Sequence, residues 1–218
     1  MQLPIFSTID RFLFQLIYGL SGNWDFLDQF MVFLTNYAQV VMGSILVAGI
    51  LYALVDMWQA SRKETIYQAK NKLEMGPLLV FALSLILLVV LPIAISDLLR
   101  ETIDRSRPFV AMDLSPLIEE EVRASLPSNH AAGSFAIAGF FMVYARRWFT
   151  PVALVALIVG FSRIYIGTHY PVDILAGALL GLLPALTWYA LKAKSFPGAS
   201  HTTRDQRFRV YTKDRWHS

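Results

Sequence analysis

Three short stretches of this 218-residue sequence hold side chains that together could bind and transfer a phosphoryl group. They are Arg100 with Arg107-Pro108, then Pro127-Ser128-Asn129-His130, and then Ser162-Arg163 with His169 and Asp173. Arginine offers a planar, bidentate set of donors that matches phosphate oxygens. Ser128 and Asn129 are typical residues of a helix N-terminus, where free backbone N–H groups and the helix dipole favour an anion.

The two histidines and the aspartate could supply the chemistry of phosphoryl transfer. His169 and Asp173 are four residues apart, a spacing that brings two side chains together on a helical turn. A carboxylate bonded to one imidazole nitrogen fixes the tautomer and leaves the other nitrogen to attack. His130, at the head of a different predicted helix, could then donate a proton to the leaving oxygen.

Other interpretations of the same residues stay open on these grounds. A single histidine near a helix end is more often a cap or a surface residue, and Pro-Ser-Asn-His alone is an ordinary loop-to-helix junction. Two histidines and an aspartate could also bind zinc, although neighbouring arginines would repel a cation. Acidic residues nearby could simply neutralise the arginines; they are Asp97, Glu101, Asp104, Glu119, Glu120 and Glu121.

The elements that must position these residues are predicted to be membrane-spanning helices. The chain is 56% hydrophobic and 16% charged, against about 25% charged residues in a soluble domain, which argues against an ordinary soluble or disordered protein. Crossing a bilayer takes roughly 20 apolar residues. Uncharged runs that span or approach this length are residues 29–55, 76–96, 131–145, 148–162 and 174–191. Residues 4–20 predict either an interfacial amphipathic helix or a sixth span.

The predicted fold class is therefore an all-α, polytopic membrane helical bundle with five to six transmembrane helices. Gly133, Gly139, Gly160, Gly177 and Gly181 would let these helices approach closely. The sequence has no cysteine, which excludes a disulfide scaffold, a thiol nucleophile and a cysteine-based zinc site.

Basic residues between the runs predict the orientation in the membrane. Lysine and arginine mark cytoplasmic loops, and they cluster at Arg62, Lys63, Lys70 and Lys72, at Arg146 and Arg147, and beyond residue 191. Alternating crossings then place residues 97–130 and 163–173, which hold all three stretches, on the extracytoplasmic face. We predict a membrane domain over residues 1–195 of a multi-pass cell-membrane protein, followed by a basic cytoplasmic tail over residues 196–218. Such a tail suits anionic lipid headgroups rather than nucleic acid.

The three stretches resemble the three-part signature of the type 2 phosphatidic acid phosphatase superfamily, in the same order. That signature is Lys-x6-Arg-Pro, Pro-Ser-Gly-His and Ser-Arg-x5-His-x3-Asp, and here it extends from Arg100 to Asp173. Two positions depart from it, because Arg100 stands in place of lysine and Asn129 in place of glycine. Charge is kept at the first position but its geometry is not.

The resemblance implies a mechanism and a role for each residue of the signature. His169 would attack phosphorus to form a phosphohistidine, Asp173 would orient it, and His130 would protonate the leaving oxygen. Phosphate oxygens would be held by Arg100, Arg107, Arg163, the Ser128 hydroxyl and the Asn129 backbone N–H. The resemblance implies no metal and no other cofactor.

Among members of that superfamily, the chain looks most like the bacterial undecaprenyl-diphosphate phosphatases. The expected substrate is then a polyprenyl diphosphate, and the expected partners are that lipid and the membrane around it. A phosphatidylglycerophosphate or phosphatidic acid phosphatase is the alternative within the superfamily, and a soluble-substrate enzyme or vanadate haloperoxidase is a more distant one. A non-catalytic protein that binds anionic lipid is the alternative from another class. The oligomeric state is left open.

Overall fold

The structure, a computed structural model, describes residues 4–67 and 76–195, and every regular element within them is helical, as the sequence predicts. The α-helices are α1 (Pro4–Tyr18), α2 (Asp25–Tyr67), α3 (Gly76–Leu85), α4 (Leu91–Ile103), α5 (Pro108–Ala111), α6 (Asn129–Tyr144), α7 (Phe149–Tyr165) and α8 (Pro171–Ser195). A π-helical turn over Ile86–Val90 joins α3 to α4, and a 3-10 turn over Arg146–Trp148 precedes α7.

Four helical stretches of the described chain are long and apolar enough to cross a membrane. They are Asp25–Gln59, Leu78–Ala111, Arg146–Tyr165 and Pro171–Leu191. The protein is thus a multi-pass membrane protein, and four of the five predicted runs lie in these stretches. The fifth run, residues 131–145, forms α6, whose 16 residues extend about 24 Å, less than the roughly 30 Å of a hydrocarbon core. The total of five to six spans stays a prediction.

Helix α6 is the most enclosed helix of the described chain and packs against α2, α4 and α7. Its small residues, among them Ala132 and Ala136, are fully buried. Helix α8 approaches it closely, because Cβ atoms added to Gly177 and Gly181 would lie 2.5 Å from the Ser128 oxygen and 2.4 Å from the Ala132 oxygen. The predicted close approach at these two glycines is confirmed, and it brings the beginnings of α6 and α8 together.

Helix α1 packs beside α7. Phe14 is fully buried and Asp10 nearly so, while Phe12 and Leu16 on the opposite side are exposed. With 15 residues it extends about 22 Å, too short to span. Residues 4–20 therefore contain a helix with one face on the protein and an apolar face turned outwards, as the amphipathic alternative predicts.

A 17-residue connection, residues 112–128, runs from the end of α5 to α6 without a helix of its own. Its backbone is tied down at both ends, by a Leu117 N–H bond to the Ile166 carbonyl (3.1 Å) and a Ser125 N–H bond to the Arg105 carbonyl (2.7 Å). This connection therefore covers the end of the bundle where α4, α6, α7 and α8 meet.

The chain divides into two compact units, Met1–Ala185 and Leu186–Ser218. Only the end of α8 is described in the second unit. The predicted basic tail, residues 196–218, lies outside the described residues, as do Lys70 and Lys72 of the first basic cluster.

Candidate active site

A polar cavity of about 480 Å³ lies at the end of the bundle covered by residues 112–128. Six of the eight predicted site residues line it, namely Arg100, Arg107, Asn129, His130, Arg163 and His169. The other lining residues are Thr35, Asn36 and Gln39 of α2 and Ile118, Glu119, Glu120, Glu121 and Arg123 of the connection. The three sequence stretches thus meet in one place, while Ser128 and Asp173 stand just outside the cavity wall.

Two of the arginines face each other across a glutamate. Glu120 Oε1 lies 2.9 Å from Arg107 Nη1, and Glu120 Oε2 accepts a 2.8 Å hydrogen bond from Arg163 Nη2. Burial alone would raise the pKa of Glu120, but the Arg163 and Arg107 guanidinium groups outweigh it and lower the pKa to about 2. The carboxylate is therefore ionised at neutral pH and bridges two nearly buried cations, as a phosphate would.

The same two arginines retain unused hydrogen-bonding capacity. Within the described chain, the buried atoms Arg107 Nη1 and Arg163 Nε have no hydrogen-bond partner; the 2.9 Å approach of Arg107 Nη1 to Glu120 lacks hydrogen-bonding geometry. Buried donors without a partner are uncommon in folded proteins because each costs free energy. In a cavity wall they are places for the oxygens of an anionic ligand.

Arg100 is held by both edges of its guanidinium fork. Its Nε and Nη2 donate to the Ala124 carbonyl at 3.1 and 3.0 Å, a double bond that the single ammonium of a lysine could not reproduce. Asn129 is held from α4, since its Oδ1 accepts a 2.5 Å bond from Ser96 and its Nδ2 donates to Asp97. Both departures from the signature are thus accommodated by contacts outside the three stretches.

His169 and Asp173 are adjacent, as their spacing predicts. His169 Nδ1 lies 3.6 Å from Asp173 Oδ2, and both side chains are almost completely buried. Burial lowers the pKa of His169 to about 4 despite the opposing hydrogen bond to Asp173. The ring is therefore neutral at pH 7, and since Nδ1 faces Asp173, the remaining nitrogen Nε2 is the one available to the cavity.

His130 lies in the first turn of α6, on the cavity wall. Burial, with Arg163 as the next cause, lowers the pKa of His130 to about 3. An empty site thus disfavours a second positive charge beside the arginines. A bound phosphate would reverse this effect by supplying negative charge.

Ser128 begins α6 as its N-cap, as predicted, with its Oγ 3.5 Å from the Ala131 N–H that it accepts from. Its own N–H donates to the Asp173 carbonyl at 3.0 Å, which joins the starts of α6 and α8. The hydroxyl is fully buried and does not reach the cavity wall, in contrast to the phosphate-binding position expected for it. Helix α8 begins at Pro171, as expected of a proline in a first helical turn.

Four residues of the site were not assigned any chemical role from the sequence. They are Asp10, Arg105, Glu120 and Ser125. Glu120 was counted among possible neutralising acids, and Arg105 and Asp10 carried only weak signals, a charge on the outer face and a charge within an apolar stretch. Ser125, which donates to Asp173, gave no signal. All four contact their partners over long sequence separations, so local patterns could not reveal them.

No three His, Cys, Asp or Glu side chains come together as metal ligands in residues 4–67 and 76–195. The two histidines and Asp173 are therefore not arranged as a zinc site.

Comparison with known proteins identifies similar sequences and folds. The family described as the PAP2 superfamily matches residues 79–197. The chain is 32% identical over 171 residues to undecaprenyl-diphosphatase BcrC of Bacillus subtilis, covering 78% of each protein. It is 33% identical over 100 residues to phosphatidylglycerophosphatase B of the same species, covering 41% of this chain and 47% of that one. The crystal structure of Aquifex aeolicus LpxE aligns with 82% of this chain and 93% of that one, at 24% identity and a TM-score of 0.49.

Proposed function

Because the chain belongs to the PAP2 superfamily of membrane phosphatases, which are hydrolases that need no metal ion, we propose that it hydrolyses a polyprenyl diphosphate. The substrate we propose is undecaprenyl diphosphate, which would be converted to undecaprenyl phosphate and inorganic phosphate. The observation that carries the proposal is the meeting of Arg107, Arg163 and a buried, neutral His169 on one cavity. Similarity over 78% of undecaprenyl-diphosphatase BcrC supports this lipid.

The first step is attack by His169 Nε2 on the terminal phosphorus. The N–P bond forms while the bond from phosphorus to the bridging oxygen breaks, which gives a phosphohistidine and a polyprenyl phosphate. His130 donates its proton to that leaving oxygen. Asp173, next to Nδ1, stabilises the positive charge that develops on the His169 ring.

The second step returns the enzyme to its starting state. Water attacks the phosphohistidine, its proton passes to His130, and inorganic phosphate leaves. Arg100, Arg107, Arg163 and the Asn129 backbone N–H hold the phosphate oxygens through both steps. Fixed donors of this kind stabilise the charge that spreads over the oxygens in the transition state. Ser128 acts here by fixing the start of α6, in line with its N-cap contact.

The position of the cavity along α2 suits a lipid substrate. Thr35, Asn36 and Gln39 line it, and they lie well inside the 35-residue apolar stretch Asp25–Gln59. Asn36 and Gln39 are exposed on the outside of the bundle. A lipid headgroup could therefore pass between them into the cavity while its hydrocarbon chain stays in the bilayer.

A second candidate is hydrolysis of phosphatidylglycerophosphate or phosphatidic acid, which the similarity to phosphatidylglycerophosphatase B favours. The arginine and histidine arrangement serves a phosphomonoester equally well, so substrate rates must separate the two. Binding of anionic lipid without turnover is the candidate from outside enzymology.

The test is phosphate release by the purified protein in detergent with EDTA. Farnesyl diphosphate, phosphatidylglycerophosphate and phosphatidic acid are compared at equal concentration, with His169→Ala as the inactive variant and His201→Ala, in the basic tail, as its matched control. We expect turnover with EDTA present, the highest kcat/KM on farnesyl diphosphate, and loss of at least about 10³-fold in kcat for His169→Ala alone.

Two results would contradict this proposal in different ways. A preference for the glycerolipids would replace the polyprenyl substrate by the second candidate. Unchanged turnover in His169→Ala would reject the histidine mechanism, and binding of the lipids by a folded protein that turns none of them over would favour the non-catalytic candidate.

A further inference from the structure

The carboxylate of Asp173 has a second charged partner besides His169. Its Oδ1 accepts a 2.6 Å hydrogen bond from Arg105 Nη1, while its Oδ2 accepts from Ser125 Oγ and, at 2.8 Å, from the Tyr170 N–H. Asp173 is fully buried. Arg105 therefore fixes the oxygen that His169 does not use, and the carboxylate has no freedom to rotate.

Arg105 is in turn held by a residue of the N-terminal helix. Its Nη2 donates to Asp10 Oδ2 at 2.5 Å, and its guanidinium lies 4.1 Å from the centre of the Tyr170 ring. Asp10 is 2% exposed, and its Oδ1 accepts a 2.9 Å bond from the Val172 N–H at the start of α8. A continuous chain of buried charges thus connects α1 to the nucleophile.

The charges of this chain matter because they are buried. Asp10, Arg105 and Asp173 together hold two carboxylates and one guanidinium, so one net negative charge remains beside His169. Attack on phosphorus places a positive charge on the imidazole, and in a poorly solvated site that charge interacts strongly with its surroundings. Without Asp10, the charge of Arg105 would cancel that of Asp173 and leave nothing to balance the imidazolium.

We propose that Arg105 and Asp10 are positioning residues of the reaction, which lock Asp173 and leave it the net negative charge that stabilises the positively charged His169. Helix α1 then has a functional role, because it delivers Asp10 to the site. The inference rests on the proposed histidine mechanism.

The test compares Asp10→Asn with the double variant Asp10→Asn/Arg105→Gln, using farnesyl diphosphate in detergent. The single change keeps an acceptor for the Val172 N–H but leaves the guanidinium uncompensated. We expect kcat to fall about 10- to 100-fold with KM within about twofold, because no substrate contact is lost. The double variant restores the single net negative charge, so we expect it to recover part of the kcat lost in Asp10→Asn. Asp25→Asn, an exposed acid at the start of α2, is the control and should match the wild type.

Other outcomes would overturn the inference. These are an unchanged kcat in Asp10→Asn, or a double variant that is no more active than the single one, since a purely structural contact gives losses that add. If Asp10→Asn does not fold, Arg105→Lys takes its place: lysine keeps the charge but cannot bridge both carboxylates, so kcat should fall at constant KM, and an unchanged kcat would reject the proposal. Wild type and His169→Ala are measured alongside, because turnover by the first and not the second upholds the proposed function whatever Asp10→Asn does.

Discussion

At the scale of single residues, Glu120 occupies the place where a phosphate would meet Arg107 and Arg163. An ionised carboxylate between two guanidinium groups neutralises them in the empty enzyme. A phosphate that enters must displace it or bind against its repulsion. The residue therefore sets how much negative charge a ligand needs before it can bind.

Changing Glu120 to glutamine should tighten the binding of simple phosphate-like inhibitors. The amide keeps the shape but gives up charge-assisted bonds worth roughly 1.5–3 kcal/mol, so we expect the inhibition constant of orthophosphate or vanadate to fall about tenfold. Glu121→Gln is the matched control, because Glu121 pairs with Arg123 in an exposed position. Equal inhibition constants in the two variants would show that Glu120 does not compete with the ligand.

The pH dependence of turnover should report both histidines. His169 must be neutral to attack, so activity should fall as the pH drops towards the pKa of His169, about 4. His130 must carry a proton, and although its pKa is about 3 in the empty site, the charge of a bound phosphate offsets Arg163 and raises it. We therefore expect a bell-shaped profile of kcat. Phosphate release measured between about pH 4 and 9 is the check, and a flat profile from about pH 5 to 8 would contradict the paired roles.

At the scale of elements, the contact between α6 and α8 decides whether the catalytic groups meet. Ser128 and Asp173 are joined by a backbone bond at the beginnings of these helices, and the helices can touch there only because Gly177 and Gly181 have no side chain. The glycines place α8, and α8 places Asp173.

Gly181→Ala should destabilise the protein, although alanine usually favours a helix. A methyl group there would lie 2.4 Å from the Ala132 oxygen, and such overpacking costs about 1–3 kcal/mol. Gly43→Ala is the control, because nothing lies within 4 Å of a Cβ on Gly43, and it should leave stability unchanged or raise it by up to about 1 kcal/mol. Thermal unfolding in detergent measures both, and equal melting temperatures would contradict the packing argument.

At the scale of the whole molecule, all the catalytic candidates lie at one end of the helical bundle. We propose that this end faces the outside of the cell and that residues 196–218 face the cytoplasm. A substrate released on the outer leaflet would then reach the cavity without crossing the membrane. The distribution of lysine and arginine supports this orientation.

Cysteine labelling can test the orientation without background, because the chain has no cysteine. Val122→Cys places a thiol in the exposed connection beside the cavity, and Ser200→Cys places one in the basic tail. A membrane-impermeant maleimide should label the first in intact cells and the second only after permeabilisation. The opposite pattern would reverse the orientation and put the cavity on the cytoplasmic side.

The sequence by itself determined the helical class, the apolar stretches and six of the residues that line the cavity. It could do so because hydrophobic runs and short motifs are local properties, and because Arg, His and Asp have few purposes beside an apolar helix. The spacing of His169 and Asp173 was enough to predict their contact, since one helical turn brings them together.

Only the tertiary structure decided what surrounds those residues. Asp10 and Arg105 are 95 positions apart, and Ser125 and Asp173 are 48 apart, so nothing in a local pattern links them. Likewise, the sequence could not tell that Ser128 turns away from the cavity or that Glu120 bridges two arginines. Those contacts depend on how closely α6 and α8 pack and on the path of residues 112–128, which are set by packing between distant segments.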